Sequence, residues 1–277
     1  IVNPFGIIFN PVSLEKLIRR SVEKRKFTEN DIFFHNELWH CYDVHSELSN
    51  SDKSFFLNSL NDLINTTHQQ LNDSTHIIIT LGTSWVYRHR QAQSDSDGVV
   101  ANCHKVPQKE FTKELLSIQQ IEESIESIIS LVHSVNPNCN FIFTVSPVRH
   151  IKDGFAENTL SKAHLIAAIH KTITYHLFPI TYFPSYEIMM DELRDYRFYA
   201  EDMLHPNQTA IDYIWIQFFE NYISESVFGL MNEICSIQKG LQHRPFNPNT
   251  ENHQKFLNQL DLKIKAIKNQ YPFIKFC

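Results

Sequence analysis

The chain has 277 residues, 42% of them hydrophobic, a formal net charge of −6 and a pI of about 6.2. That is enough apolar material for one large α/β domain or two small ones, and it excludes disorder. The scattered Lys and Arg give no basic face for nucleic acid, and no apolar run approaches the roughly eighteen residues that cross a bilayer. The cysteines Cys41, Cys103, Cys139, Cys235 and Cys277 are odd in number and widely spaced, which argues for reduced thiols and a soluble, cytoplasmic protein.

In chain order, Ile1 to Phe5 reads as a β-rich segment, and Pro11-Val-Ser-Leu14 opens a helix ending near Val22. Phe55 to Leu71 follows as a helix with Phe56, Leu60, Leu63 and Ile64 on one face. His76 to Leu81 is a continuous apolar run ending at Gly82, as a buried parallel strand would be. Tyr87 to Lys113 reads as a long loop carrying Ser94-Asp-Ser-Asp-Gly98 and Val106-Pro107. Ser117-Ile-Gln-Gln120 is a capping box for a helix to about His133, whose apolar stripe is Ile118, Ile121, Ile125, Ile128 and Ile129 and which Asn136-Pro137 stops. Strands at Asn140 to Val145 and Ile180 to Phe183 flank a helix from about Thr159 to His176. Pro206, fitted to a first helical position, opens a helix to Tyr222. The alternation predicts βαβ units around a mostly parallel sheet over residues 1–230, and residues 231–277 then read as a linker, His243-Arg-Pro-Phe-Asn-Pro248, and an amphipathic helix with Phe256, Leu260, Leu262, Ile264 and Ile267.

The most informative stretch is Asp202-Met-Leu-His-Pro206. A carboxylate three residues before an imidazole can hold one ring nitrogen and leave the other to take a proton, which is the base half of a hydrolase. In a parallel sheet the carboxyl ends of the strands meet at one edge, so Gly82, Thr83, Asn102, His104, Ser146, Arg149 and His150 are expected around one cleft. Gly82 and Thr83, with the Asn102 amide, are candidates for oxyanion or substrate binding. Arg149 suits either an anionic substrate group or an internal carboxylate, Asp191 or Asp195, and the internal pairing is the expected one. Ser146 lacks the strand–turn–helix setting of a nucleophile elbow. His40, Cys41, His45, Cys103 and His104 are metal-ligand types, yet their spacing matches no closed zinc pattern, so no metal and no cofactor is expected, with a metal-dependent hydrolase around His40, His45 and His104 as a further alternative.

Six blocks carry a resemblance: Asn3-Pro-Phe-Gly-Ile-Ile-Phe-Asn-Pro11, Thr80-Leu-Gly-Thr-Ser-Trp-Val-Tyr87, Asn102-Cys-His-Lys-Val-Pro107, Val145-Ser-Pro-Val-Arg-His150, Asp191-Glu-Leu-Arg-Asp-Tyr-Arg-Phe-Tyr199 and Asp202-Met-Leu-His-Pro206. In that order they resemble the GSCFA-domain family, which looks like a branch of the SGNH/GDSL hydrolases. The resemblance covers about Ile1 to Phe228. It implies a flavodoxin-like three-layer α/β/α sandwich and serine esterase or acyltransferase chemistry on a small-molecule or acylated, even carbohydrate, substrate. Asp202 and His205 match the Asp-x-x-His block, whereas Ser84 stands where the wider superfamily often has Asn. The Gly-Ser-Cys-Phe-Ala block with the nucleophilic serine lies, in the family pattern, ahead of Asn3. The expectation is therefore of a fragment, inactive in this form, that also lacks the strand leading into that serine. The alternative reading is a binding domain that uses the same cleft without catalysis. Substrate identity and oligomeric state are left open by the sequence.

Overall fold

A computed structural model of the chain describes residues 2–90, 98–175, 179–248 and 250–276. It forms two compact units, Ile1–Ile214 and Trp215–Cys277.

In the first unit, Asn10 caps the helix α1 (Pro11–Val22) by accepting from the Ser13 amide at 2.8 Å. A two-stranded antiparallel ribbon follows, β1 (Phe33–His35) and β2 (Leu38–His40), and then α2 (Lys53–Asp73), capped by Asp52. Strand β3 (His76–Leu81), at one edge of the parallel sheet and not at its centre, runs into β4 (Trp85–His89), β5 (Val99–Val100) and β6 (Phe111–Leu115). Helix α3 (Ile118–Val135) leads to β7 (Asn140–Val145), and α4 (Phe155–Tyr175) leads to β8 (Ile180–Phe183). A short helix, α5 (Ser185–Glu187), continues as a π-helical stretch over Ile188–Leu193, and α6 (Gln208–Tyr222) begins after the Asp202–His205 loop.

The parallel sheet has the order β3-β7-β8, with His76 opposite Asn140 and Phe141 opposite Ile180. Parallel neighbours need long crossovers, and α3 and α4 supply them. Both helices close on the sheet through one apolar cluster that holds Ile79, Leu81, Ile121, Ile125, Ile128, Phe141, Phe143, Leu165 and Ile169. A second cluster, with Phe5, Leu17, Phe56, Leu60 and Ile64, sits between α1, α2 and the ribbon. The chain is thus an α/β protein whose strands at 76–81, 140–145 and 180–183 and capping-box helix lie where the sequence put them.

Three expectations are corrected. Residues of the Ile1 to Phe5 segment form no strand: Asn3-Pro-Phe-Gly6 is a turn, closed by the Gly6 amide on the Asn3 carbonyl at 2.9 Å, with Asn3 and Gly6 both at positive φ. Proline at the second turn position and glycine at the fourth outweigh the apolar pattern, and Phe5 goes into the second cluster. Among the described residues the outer edge of β3 consequently pairs with no strand. The stretch from Tyr87 to Lys113 is likewise more than a loop. It contributes to an antiparallel sheet ordered β5-β4-β6 with Trp85 opposite Leu115 and Arg88 opposite Thr112, while Ser94 to Asp97 lie outside the described residues. Trp85, Val86 and Tyr87, and in the partner strand Phe111 and Thr112, are strand formers in spite of the punctuation between the two segments. Finally, Pro206 is not the first helical residue; Asn207 caps α6, its Oδ1 accepting from the Ala210 amide at 3.1 Å.

The second unit contains α7 (Phe228–Gln242) and α8 (Glu251–Gln270), packed through Ile237, Leu260 and Ile267. Leu262, expected on the apolar face, is 66% exposed, because two residues along a helix is more than half a turn from Leu260.

Candidate functional site

The loop between the π-helical stretch and α6 is tied down at both ends. Tyr199 bridges Pro206, Ala200 donates to the His205 carbonyl at 2.8 Å, and Asn207 Nδ2 donates to the Arg197 carbonyl at 2.6 Å. Met203 takes a positive φ, and the tight turn this makes brings the Asp202 carboxylate back onto its own loop. Asp202 Oδ1 accepts from the amides of Leu204 at 2.8 Å and His205 at 3.0 Å, and Oδ2 accepts from His205 Nδ1 at 2.6 Å. These backbone donors first, and the imidazole after them, pull the Asp202 carboxyl down to about 2, so it is ionised throughout the neutral range. The His205 side chain is 59% exposed, and among the described residues its Nε2 has no hydrogen-bond partner. An ionised carboxylate on Nδ1 fixes the tautomer with Nε2 open to accept a proton.

Arg149 and His150 adjoin this pair. The Arg149 amide donates to the Leu204 carbonyl at 3.2 Å, and its guanidinium lies 4.1 Å from the Tyr199 ring centre and 5.5 Å from that of Tyr196. The expected pairing of Arg149 with Asp191 or Asp195 does not form: Asp195 holds Arg197, and among the described residues no carboxylate is within ion-pair distance of Arg149. Its stacking on tyrosines that precede the loop takes the guanidinium elsewhere. The His150 ring meets Phe9 edge-on at 5.8 Å, and its amide donates to the buried Asn158 Oδ1 at 2.9 Å. Burial first, then the charges of Lys162 and His205, lower the His150 imidazole.

Phe9 links these residues to the end of β3. Its carbonyl accepts from the amides of Gly82 at 2.8 Å and Thr83 at 3.1 Å, so both N–H groups proposed for an oxyanion are occupied. A Cβ at position 82 would lie 3.2 Å from the Phe9 ring, a tight contact that glycine avoids. The Thr83 hydroxyl turns to Ser161 at 3.0 Å, and Ser146 Oγ accepts from the Val148 amide at 3.2 Å as a local turn cap. Asn102 and His104 fall in another cluster. Asn102 Oδ1 caps the His104 amide, and His104 packs on Phe33, His40 and Tyr42 while its Nε2 donates to the Cys41 carbonyl at 2.7 Å. Burial brings His104 down to about 4, so it is neutral at physiological pH. Among the described residues no group of three or more His, Cys, Asp or Glu is arranged to hold a metal ion.

The residue that sequence reading passed over is Lys162. Its side chain is 1% exposed, and its Nζ donates to the carbonyls of Gly82 at 2.6 Å and Ser146 at 2.7 Å, clamping the ends of β3 and β7 together. Burial pushes its ammonium down to about 7. The signal was present: Lys162, Leu165, Ile169 and Thr172 share the buried stripe of α4, and a lysine at such a position needs an internal partner.

Alongside β3, whose outer edge is unpaired among the described residues, runs a groove of about 520 Å³ walled by Pro4, Gly6, Leu17, Gln70 and Ile77 to Thr80. Ile78 is left 55% exposed.

No helix among the described residues is long and apolar enough to cross a membrane. Neither the curated proteins nor the solved structures returned a match. Two family models do match: the GSCFA family over residues 1–218, and the C-terminal domain of GSCFA domain proteins over residues 234–276. With the first of these spanning most of its length, the chain belongs to the GSCFA family.

Proposed function

We propose that this protein is the core of a serine esterase or acyltransferase of the SGNH type, a three-layer sandwich acting on an ester or acylated substrate. The carrying observation is the Asp202–His205 pair, 2.6 Å apart on a loop that the Arg149 amide, four residues beyond the carboxyl end of β7, ties down at the Leu204 carbonyl. His205 Nε2 takes the proton of an attacking serine hydroxyl while that oxygen bonds to the acyl carbon. As the tetrahedral intermediate collapses, the carbon–oxygen bond to the leaving group breaks and His205 returns the proton to it. Water or an acceptor alcohol then repeats the sequence in reverse. Asp202 orients the ring and stabilises its cationic form. Gly82 serves as an oxyanion donor only when the Phe9 carbonyl releases its amide.

The serine belongs to the block that the family pattern sets ahead of Asn3. The groove along β3 supports this reading, since that strand's outer edge is unpaired among the described residues and Leu14, Leu17 and Ile18 give the groove apolar walls to receive the strand leading into that block. The test is hydrolysis of 4-nitrophenyl acetate by a chain that includes the upstream Gly-Ser segment. His205→Ala should lower kcat/KM by roughly 10²-fold or more, the usual worth of a general base. Turnover indifferent to that substitution overturns the assignment.

A further inference from the structure

We propose that Arg149 is the specificity-determining residue of this site and selects substrates that carry an anionic oxygen group, a carboxylate or a phosphate, next to the reacting acyl bond. This rests on the hydrolase reading above for the word substrate, though the anion site itself does not.

The backbone of Arg149 is bonded to Leu204, the residue before the general base, so the guanidinium and the imidazole are held by the same loop. Tyr199 and Tyr196, on which the guanidinium rests, precede that loop, and Tyr199 is bridged to Pro206 on the other side of His205. A half-buried cation normally has a carboxylate. Here the carboxylates of the neighbourhood are spent: Asp202 on His205, Asp195 on Arg197, Glu187 on the Tyr182 hydroxyl and Asp153 on Lys113. Asp191 is exposed and forms no ion pair with Arg149. The Arg149 guanidinium is therefore a positive charge without a carboxylate partner among the described residues, and it is a rigid fork of donors suited to two oxygens of a single anion.

The experiment measures binding of phenylacetate, phenyl phosphate and the neutral phenylacetamide to the 277-residue protein, followed by NMR of the His205 and His150 ring protons. Wild type should bind at least one of the two anions roughly 10-fold or more tighter than the amide, the size of one charged hydrogen bond. Which anion binds tighter names the group. Arg149→Met should abolish the preference, and Arg149→Lys, which keeps the charge but not the fork, should retain part of it. Equal binding of amide and anions by wild type, no saturable binding at all, or a preference that survives Arg149→Met overturns the proposal. Anion binding that depends on Arg149 in a protein without turnover, even with the upstream segment, would remove the hydrolase reading and leave the anion site. Ester turnover that does not distinguish anionic from neutral acyl groups would do the reverse.

Discussion

At the scale of single residues, two ionisable groups are moved in opposite senses from their ordinary charge balance, and each for a visible reason. Asp202 is exposed, yet two amides and an imidazole hold it ionised; Lys162 is buried against two carbonyls without an acid and is pushed toward its neutral form. Lys162 has the testable consequence. Its folded-state value, about 7, is below the ordinary 10.5, so between those values the unfolded chain holds a proton that the folded one does not. Stability should rise as pH climbs from about 7 toward 10, by at most about 1.4 kcal/mol per pH unit, and the burial cost should be fully present below 7. In Lys162→Met that slope should vanish, while the Gly82 and Ser146 carbonyls lose their donor at roughly 1–3 kcal/mol each. Urea midpoints of both proteins at pH 7 and pH 9.5 check the two effects separately. A slope unchanged in the variant would assign the pH dependence to other groups.

At the scale of elements, legibility followed how local the information was. The helix over Ile118–Val135 was readable because Ser117 and Gln120 satisfy each other's end of the chain and an isoleucine stripe follows at helical spacing. Ser117→Ala should cost about 1 kcal/mol through the lost cap, measured as a shift in thermal midpoint at an otherwise unchanged fold. A shift near zero would mean that packing of Ile121 and Ile125 alone holds the helix end. The strand at 76–81 was readable from its unbroken apolar run, but the antiparallel strands at 85–89 and 111–115 were not, since their partner is a segment more than twenty residues away in sequence. Asn3-Pro-Phe-Gly6 misled because its apolar residues serve packing while its proline and glycine set the backbone.

At the scale of the whole molecule, the division into Ile1–Ile214 and Trp215–Cys277 separates the residues of the Asp202–His205 site from the α7–α8 pair. That pair has a small core, and Gly240 sits where a Cβ would come within 2.9 Å of Leu260. Gly240→Val should push the two helices apart and speed amide exchange across α8, leaving amides of β3 and β7 unaffected. Faster exchange in the sheet as well would show that the two units unfold together.

The sequence by itself determined what short-range chemistry controls: the caps, the apolar stripes, the parallel strands with their crossovers, and an acid placed where it can turn back onto His205. Only the tertiary structure decided which distant residues share a site. It brought Arg149 and His150 to the loop of His205, linked Phe9, Gly82 and Lys162 to them in turn, and left Asn102 and His104 with the ribbon. A contact between residues far apart along the chain depends on how whole elements pack, and hydrophobic burial is non-directional, so no local pattern encodes it.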